Sequence, residues 1–199
     1  MGPPTLEVSG DVWESCRICV SVSWESKYHR GGEYYAIGSI GPDGPLIVSQ
    51  HIDYMLFPVI PMAIGADFLL AVRAIPNSST IKIANILNSK FPQREFEIPA
   101  EGDLKINPEE HEWSNYFKSG LRGALELLQK KGVKPKKAGM EILADGAIPV
   151  GAGLSSSAAF TCASALASLL VLGDGKVDKK ELVELAVVSE RYVGVNSGG

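Results

Sequence analysis

An α+β fold is predicted by three observations. Short stretches alternate apolar and polar residues in the manner of strands, three later stretches carry apolar residues at helical spacing, and the two kinds do not alternate regularly. With 199 residues, 45% of them hydrophobic, the chain can bury a sizeable core in one domain or at most two. No internal repeat is visible.

The first fifty residues are rich in breakers, among them Gly31-Gly32 and Gly41-Pro42-Asp43-Gly44-Pro45. Short strands are expected there around Arg17–Ser23 and Tyr34–Ile40, and residues 1–49 are set apart as an atypical leader. From residue 50 the pattern firms. Phe68, Leu70, Val72 and Ala74 alternate with Leu69, Ala71 and Arg73, and Ile81, Ile83 and Asn85 keep the same period beyond a turn at Asn77-Ser78-Ser79. The two stretches predict an antiparallel pair. Ala138–Leu143 predicts a further strand.

Trp113, Phe117, Leu121, Ala124, Leu125 and Leu128 mark one face of a helix. Glu109, Glu110 and Glu112 stand near its start, and Lys130, Lys131 and Gly132 close it. Ser157–Leu172 is apolar nearly all round and predicts a buried helix, in which Cys162 is a core thiol. Asp178, with Glu181 three residues on, predicts a capped helix running through Tyr192 to Gly194.

Charge and composition exclude several function classes. A net charge of -4 argues against nucleic acid as the main partner. The run Lys130, Lys131, Lys134, Lys136, Lys137 is read as a solvated helix end. No stretch reaches the ~18–20 apolar residues of a membrane span, and Met1–Gly10 has neither the basic nor the apolar region of a secretory signal. Three cysteines suit a reducing cytosol, so a cytoplasmic location is expected. Cys16 and Cys19 form a C-x-x-C without the second pair or the histidines that a zinc site needs.

The most informative segment is Gly151-Ala152-Gly153-Leu154-Ser155-Ser156-Ser157, running directly into the buried helix. Glycines let backbone N–H groups approach an anion, hydroxyls add donors and a possible magnesium ligand, and the helix directs its positive end at the same place. No Gly-Lys-Ser/Thr ending is present, which excludes a Walker A loop, and the dinucleotide glycine spacing is absent as well. The bland alternative is a flexible Gly/Ser turn, but such turns do not run straight into a long buried helix.

Pro149-x-x-x-Gly153-Leu154-Ser155-Ser156-Ser157-Ala158 resembles the phosphate loop of the GHMP kinases. Gln50-His51-Ile52-Asp53-Tyr54, Trp113-Ser114-Asn115-Tyr116 and Glu190–Gly199 resemble, in that order, galactokinase segments, with wording similar to the fungal branch. This resemblance covers residues 50–199. It implies a GHMP kinase amino-terminal domain, folded like the second domain of ribosomal protein S5, and ATP-dependent phosphorylation of galactose at its C1 hydroxyl. It also implies His51 and Asp53 on the sugar, Trp113 beside the adenine, Gly151–Ser157 on the phosphates, and Ser156 or Ser157 on Mg2+. Alone, His51 and Asp53 would read as a turn and a strand cap, and Trp113 as a helix anchor.

The pattern departs at two places. Gly44–Gln50 holds no arginine where the family carries one that stabilises the transferring phosphoryl group, and Gln50 replaces a glutamate. The sequence given stops at Gly199, where the family continues Met-Asp-Gln and then a second domain. The expectation is therefore a chain without a catalytic residue of its own and without turnover. Two alternatives stay open: another small-molecule kinase of the group, and a non-catalytic galactose and ATP sensor. Sensors of that kind lose a Ser-Ala pair that this chain keeps at Ser157-Ala158.

Overall fold

In the computed structural model, residues 18–23, 37–41, 44–46, 60–61, 67–100, 102–150 and 154–194 are described. The leader contributes β1 (Ile18–Ser23), β2 (Ile37–Gly41) and β3 (Gly44–Leu46), followed by β4 (Ile60–Pro61). Then come β5 (Asp67–Pro76), β6 (Thr80–Asn85), β7 (Arg94–Glu97), α1 (Ser114–Lys130), β8 (Ala138–Gly146), α2 (Ser156–Leu172) and α3 (Lys179–Glu190). A single 3-10 turn, Arg191–Val193, ends α3, and Gly194 leaves it at φ 79°. The expected helix through Tyr192 therefore stops two residues earlier as an α-helix.

Strands form a five-stranded sheet in the order β1-β5-β8-β6-β7 and a small sheet in the order β3-β2-β4. The first expected strand is thus part of the main sheet, pairing Ile18 with Val72 and Ser23 with Asp67. The expected pairing of β5 with β6 is not found. β8 lies between them, antiparallel to β5 and parallel to β6. Gly139 makes this insertion possible: a Cβ there would stand 2.3 Å from the carbonyl oxygen of Thr80. Flanked on both sides, β8 buries Ala138, Met140, Ile142 and Ala144, as a central strand must.

The helices cover one face of this sheet, with α2 in the middle. It packs against α1, α3, β1, β5 and β8, which explains why it is apolar on every side. Its buried serines satisfy themselves, Ser164 Oγ donating to the Phe160 carbonyl at 2.6 Å and Ser168 Oγ to that of Ser164 at 2.7 Å. α1 keeps the predicted apolar face, with Phe117, Leu121 and Ala124 fully buried. Where it crosses α2, a Cβ on Gly120 would lie 2.5 Å from the Thr161 carbonyl oxygen. Glycine lets the two backbones touch.

Helix ends follow the predicted chemistry in part. Gly132, at φ 68°, closes α1: its N–H donates to Gln129 and that of Val133 to Leu128, a complete Schellman motif. Asp178 Oδ1 accepts from the Glu181 N–H at 3.0 Å and caps α3. The acidic residues expected at the start of α1 lie before it, not in its first turn. Glu112 pairs with Arg94 at 2.8 Å, and buried Asn115 donates to the carbonyls of Asn107 and Glu110, tying that segment to the helix.

Candidate functional site

The loop segment reaches α2 through Ser155, which sits at φ 53° and ψ 37°. That left-handed conformation costs a non-glycine residue on the order of 1–2 kcal/mol, and glycine is the usual occupant. Ser155 also stands at the N-cap without capping: its hydroxyl makes no bond to the helix, and only its carbonyl takes part, accepting from Ala159 N–H at 3.0 Å. The N–H groups of Ser156, Ser157 and Ala158 have no acceptor within the helix. No acidic side chain stands in the first turn. This end of a deeply buried helix is left with amide donors, three hydroxyls and a positive dipole.

Leu154 and Ser155–Ser157 are half-buried, within reach of a ligand. Gly151, Ala152 and Gly153, like His51 and Asp53, lie outside the described residues.

Aromatic rings gather beside the same end. Phe160, one turn into α2, stacks on Phe68 at 4.5 Å and on Trp113 at 6.0 Å with 16° between the planes. Trp113 stands at the N-cap of α1 with helical dihedrals and packs on the same core as Phe117 and Leu121, in keeping with the spacing. Its indole N–H donates to the Pro92 carbonyl at 3.0 Å, and Phe91 leans against it at 5.9 Å. The fold thus brings Trp113 and Ser155–Ser157 to one region through Phe160.

Two acidic or phenolic groups complete the surroundings. Glu190, at the end of α3, is only 2% exposed. Tyr116 has its ring 6.4 Å from that of Phe160, and burial, helped by the Glu190 charge, raises its pKa. Nearby, Tyr192 donates to Glu126 at 2.6 Å, while Arg122 lies over the Tyr192 ring and pairs with Glu126 and Asp103. Burial raises the Tyr192 pKa, and Glu126 adds to it. This network fixes the turn that carries Glu190.

Sequence reading gave no role to Phe160 or Glu190. The first signalled itself only as an aromatic in the first turn after the loop, the second as a carboxylate following an apolar run. Hydroxyls, amides and one buried carboxylate are hard oxygen and N–H groups, a set that suits phosphate and a magnesium ion. No cluster of three or more His, Cys, Asp and Glu side chains able to hold a metal occurs among the described residues, so a soft-metal or carboxylate-cage site has no support there. No helix of the described residues is long and apolar enough to cross a membrane.

The sequence profile of the GHMP kinases N terminal domain matches residues 115–199. The chain is 42% identical over 153 residues to a galactokinase of Candida maltosa, covering 77% of this chain and 69% of that protein. It is 39% identical over 185 residues to a galactokinase of Schizosaccharomyces pombe, covering 89% of this chain but only 34% of that protein. Among solved structures it is similar to a Lactococcus lactis galactokinase complexed with galactose, with a TM-score of 0.59 and 30% identity, covering 82% of this chain and 37% of that one.

Proposed function

Since this chain belongs to the galactokinase family of the GHMP kinases, we propose that it binds ATP with magnesium at the amino-terminal end of α2 and serves the phosphorylation of galactose at its C1 hydroxyl. The observation that carries this reading is the uncapped start of α2 behind Ser155. An unfavourable backbone conformation is kept there, and the donors it exposes are left for an anion. In a kinase of this kind, catalysis is mostly positioning and charge stabilisation.

The residues divide that work. Gly151, Ala152, Gly153, Leu154 and Ser155 cradle the phosphates with their amides, and Ser156 and Ser157 offer hydroxyls to the phosphates and to magnesium. When bound, the ion neutralises phosphate charge. Glu190, a buried carboxylate whose charge acts on Tyr116, would offer a further oxygen to the ion. Trp113 supplies an aromatic face for the adenine, held by its bond to Pro92 and by Phe160. His51 and Asp53 orient the sugar hydroxyls, Asp53 through the two oxygens of its carboxylate.

Calorimetric titration of the 199-residue chain with a non-hydrolysable magnesium–ATP analogue tests this. Replacing both Ser156 and Ser157 by Ala should weaken binding roughly 10- to 100-fold, the value of charge-assisted hydrogen bonds, while the thermal midpoint stays put. Wild-type affinity in that double variant would refute the loop as the phosphate site. A parallel titration with galactose, in the wild type and in Asp53→Asn, tests the sugar: heat from galactose that persists undiminished in Asp53→Asn removes Asp53 from the site.

A further inference from the structure

A succession of stacked rings runs from the main sheet to Trp113. It starts at β8, where Gly146 lies opposite Phe68 of β5. A Cβ on Gly146 would stand 2.8 Å and 2.9 Å from two atoms of the Phe68 ring, so the missing side chain is what lets that ring lie against the strand. Phe160 stacks on Phe68 with 22° between the planes, and Trp113 on Phe160 with 16°. From α1, Tyr116 leans on Phe160 at 6.4 Å.

Phe68 and Phe160 are 8% and 5% exposed, so neither ring presents a face to a ligand. Burial alone asks only for apolar volume at these places, which leucine or methionine would fill. Near-parallel rings in succession ask for more, because aromatic pairs favour defined offsets and each flat face fixes the tilt of the next. The indole N–H bond to Pro92 holds one edge of Trp113, but a single bond leaves the tilt of the ring plane open. Phe160 supplies that missing restraint. It also stands one turn into α2, three residues after Ser157, so the same side chain ties the indole to the helix end that carries the hydroxyls.

We propose that Phe160 is a positioning residue: acting through Trp113, it sets the base platform against the phosphate loop and so fixes how much affinity the base adds to that of the triphosphate. This rests on the reading of Trp113 beside the adenine and of Gly151–Ser157 on the phosphates. The outer end of the stack serves a planar base, and the inner end, Phe68 over Gly146, is anchored in the sheet. A disturbance at Gly146 is therefore passed along the rings to a ligand that Gly146 never touches.

The test compares two ligands by calorimetry on the 199-residue chain: a non-hydrolysable magnesium–ATP analogue, and magnesium tripolyphosphate, which has neither base nor ribose. Wild type should prefer the analogue by roughly tenfold or more, the value of stacking one base. Phe160→Leu should cut that preference about fivefold to tenfold and leave tripolyphosphate affinity within about twofold, whereas Phe160→Tyr keeps the preference. Gly146→Ala should lower the preference in the same direction, and it decides the matter if the thermal midpoint shows that Phe160→Leu does not fold. An equal loss for both ligands in Phe160→Leu, or an unchanged preference in either variant, would overturn the proposal while the kinase reading stands. Equal affinity of the wild type for the two ligands would instead take Trp113 off the base, and the proposal would fall with that reading.

Discussion

The start of α2 and the end of α1 lie at opposite ends of one helix layer, and they are finished in opposite ways. At the start of α2 the amides are left uncapped behind a serine in the left-handed conformation, with no charged side chain in the turn. At the end of α1 a glycine takes that conformation instead, and the last carbonyls are satisfied by Gly132 and Val133. The open end offers backbone groups to a ligand. The closed end has satisfied the carbonyls of Leu127, Leu128 and Gln129 within the chain and keeps few backbone groups for a ligand. A helix terminus thus becomes a site by leaving undone what an ordinary terminus does.

Both ends hang on the crossing of α1 with α2, so the largest predicted effect breaks the comparison altogether. In Gly120→Val the new Cβ falls 2.5 Å from the Thr161 carbonyl oxygen and 2.7 Å from the Ala165 nitrogen. Neither backbone atom can move without shifting its helix, and overpacking of this kind costs about 1–3 kcal/mol or more. Thermal melting should show a drop of many degrees, and nucleotide affinity should fall with it. A wild-type melting curve would mean that the helices do not approach as closely as described.

That crossing also marks where the sequence stops being legible. Gly120 in a helix reads simply as a poor helix former, because its reason is a backbone forty residues away. β8 was recognisable as a strand, yet its place between β5 and β6 was not. A short turn argues for pairing its flanks, and only the missing Cβ of Gly139 reveals the intruder. By contrast α2 was readable almost to the residue, since an all-round apolar run after a Gly/Ser loop has few other uses. The lysines after α1 were visible as a run. Their partners at the start of α3 were not, because adjacency of the two helices is a tertiary fact. Glu190 was legible as a letter within a family-like run, but its burial depends on the turn that Tyr192, Glu126 and Arg122 hold.

A paired substitution sharpens the contrast between the ends. Gly132→Ala meets no atom within 4 Å, so only its positive φ resists the change. The expected loss is about 1 kcal/mol, read as a lower midpoint in urea, with nucleotide affinity untouched. Ser155→Gly at the other end relieves a similar strain but adds freedom to the unfolded chain, and the two nearly cancel. If Gly132→Ala is harmless while Ser155→Gly stabilises by more than ~1 kcal/mol, then the strained end is α2 alone and the symmetry drawn between the two left-handed residues is wrong.

The smallest effect lies between the ends, at Cys162 in α2. Burial pushes its thiol up to about 11, from an ordinary 9.0. The folded state therefore prefers the protonated thiol more than the unfolded chain does. Its contribution to stability is complete below the ordinary thiol value and is lost as pH rises through about 11. Cys162→Ala should remove that part of the alkaline decline and leave the rest, which belongs to other groups. Alkylation near neutral pH, followed by peptide mass spectrometry, gives an independent reading. Cys162 should react far more slowly in the folded chain than in urea, because the thiolate is the reactive form. Equal rates in the two states would show α2 opening as readily at its centre as at its uncapped end, and the buried helix on which the phosphate site rests would lose its claim to rigidity.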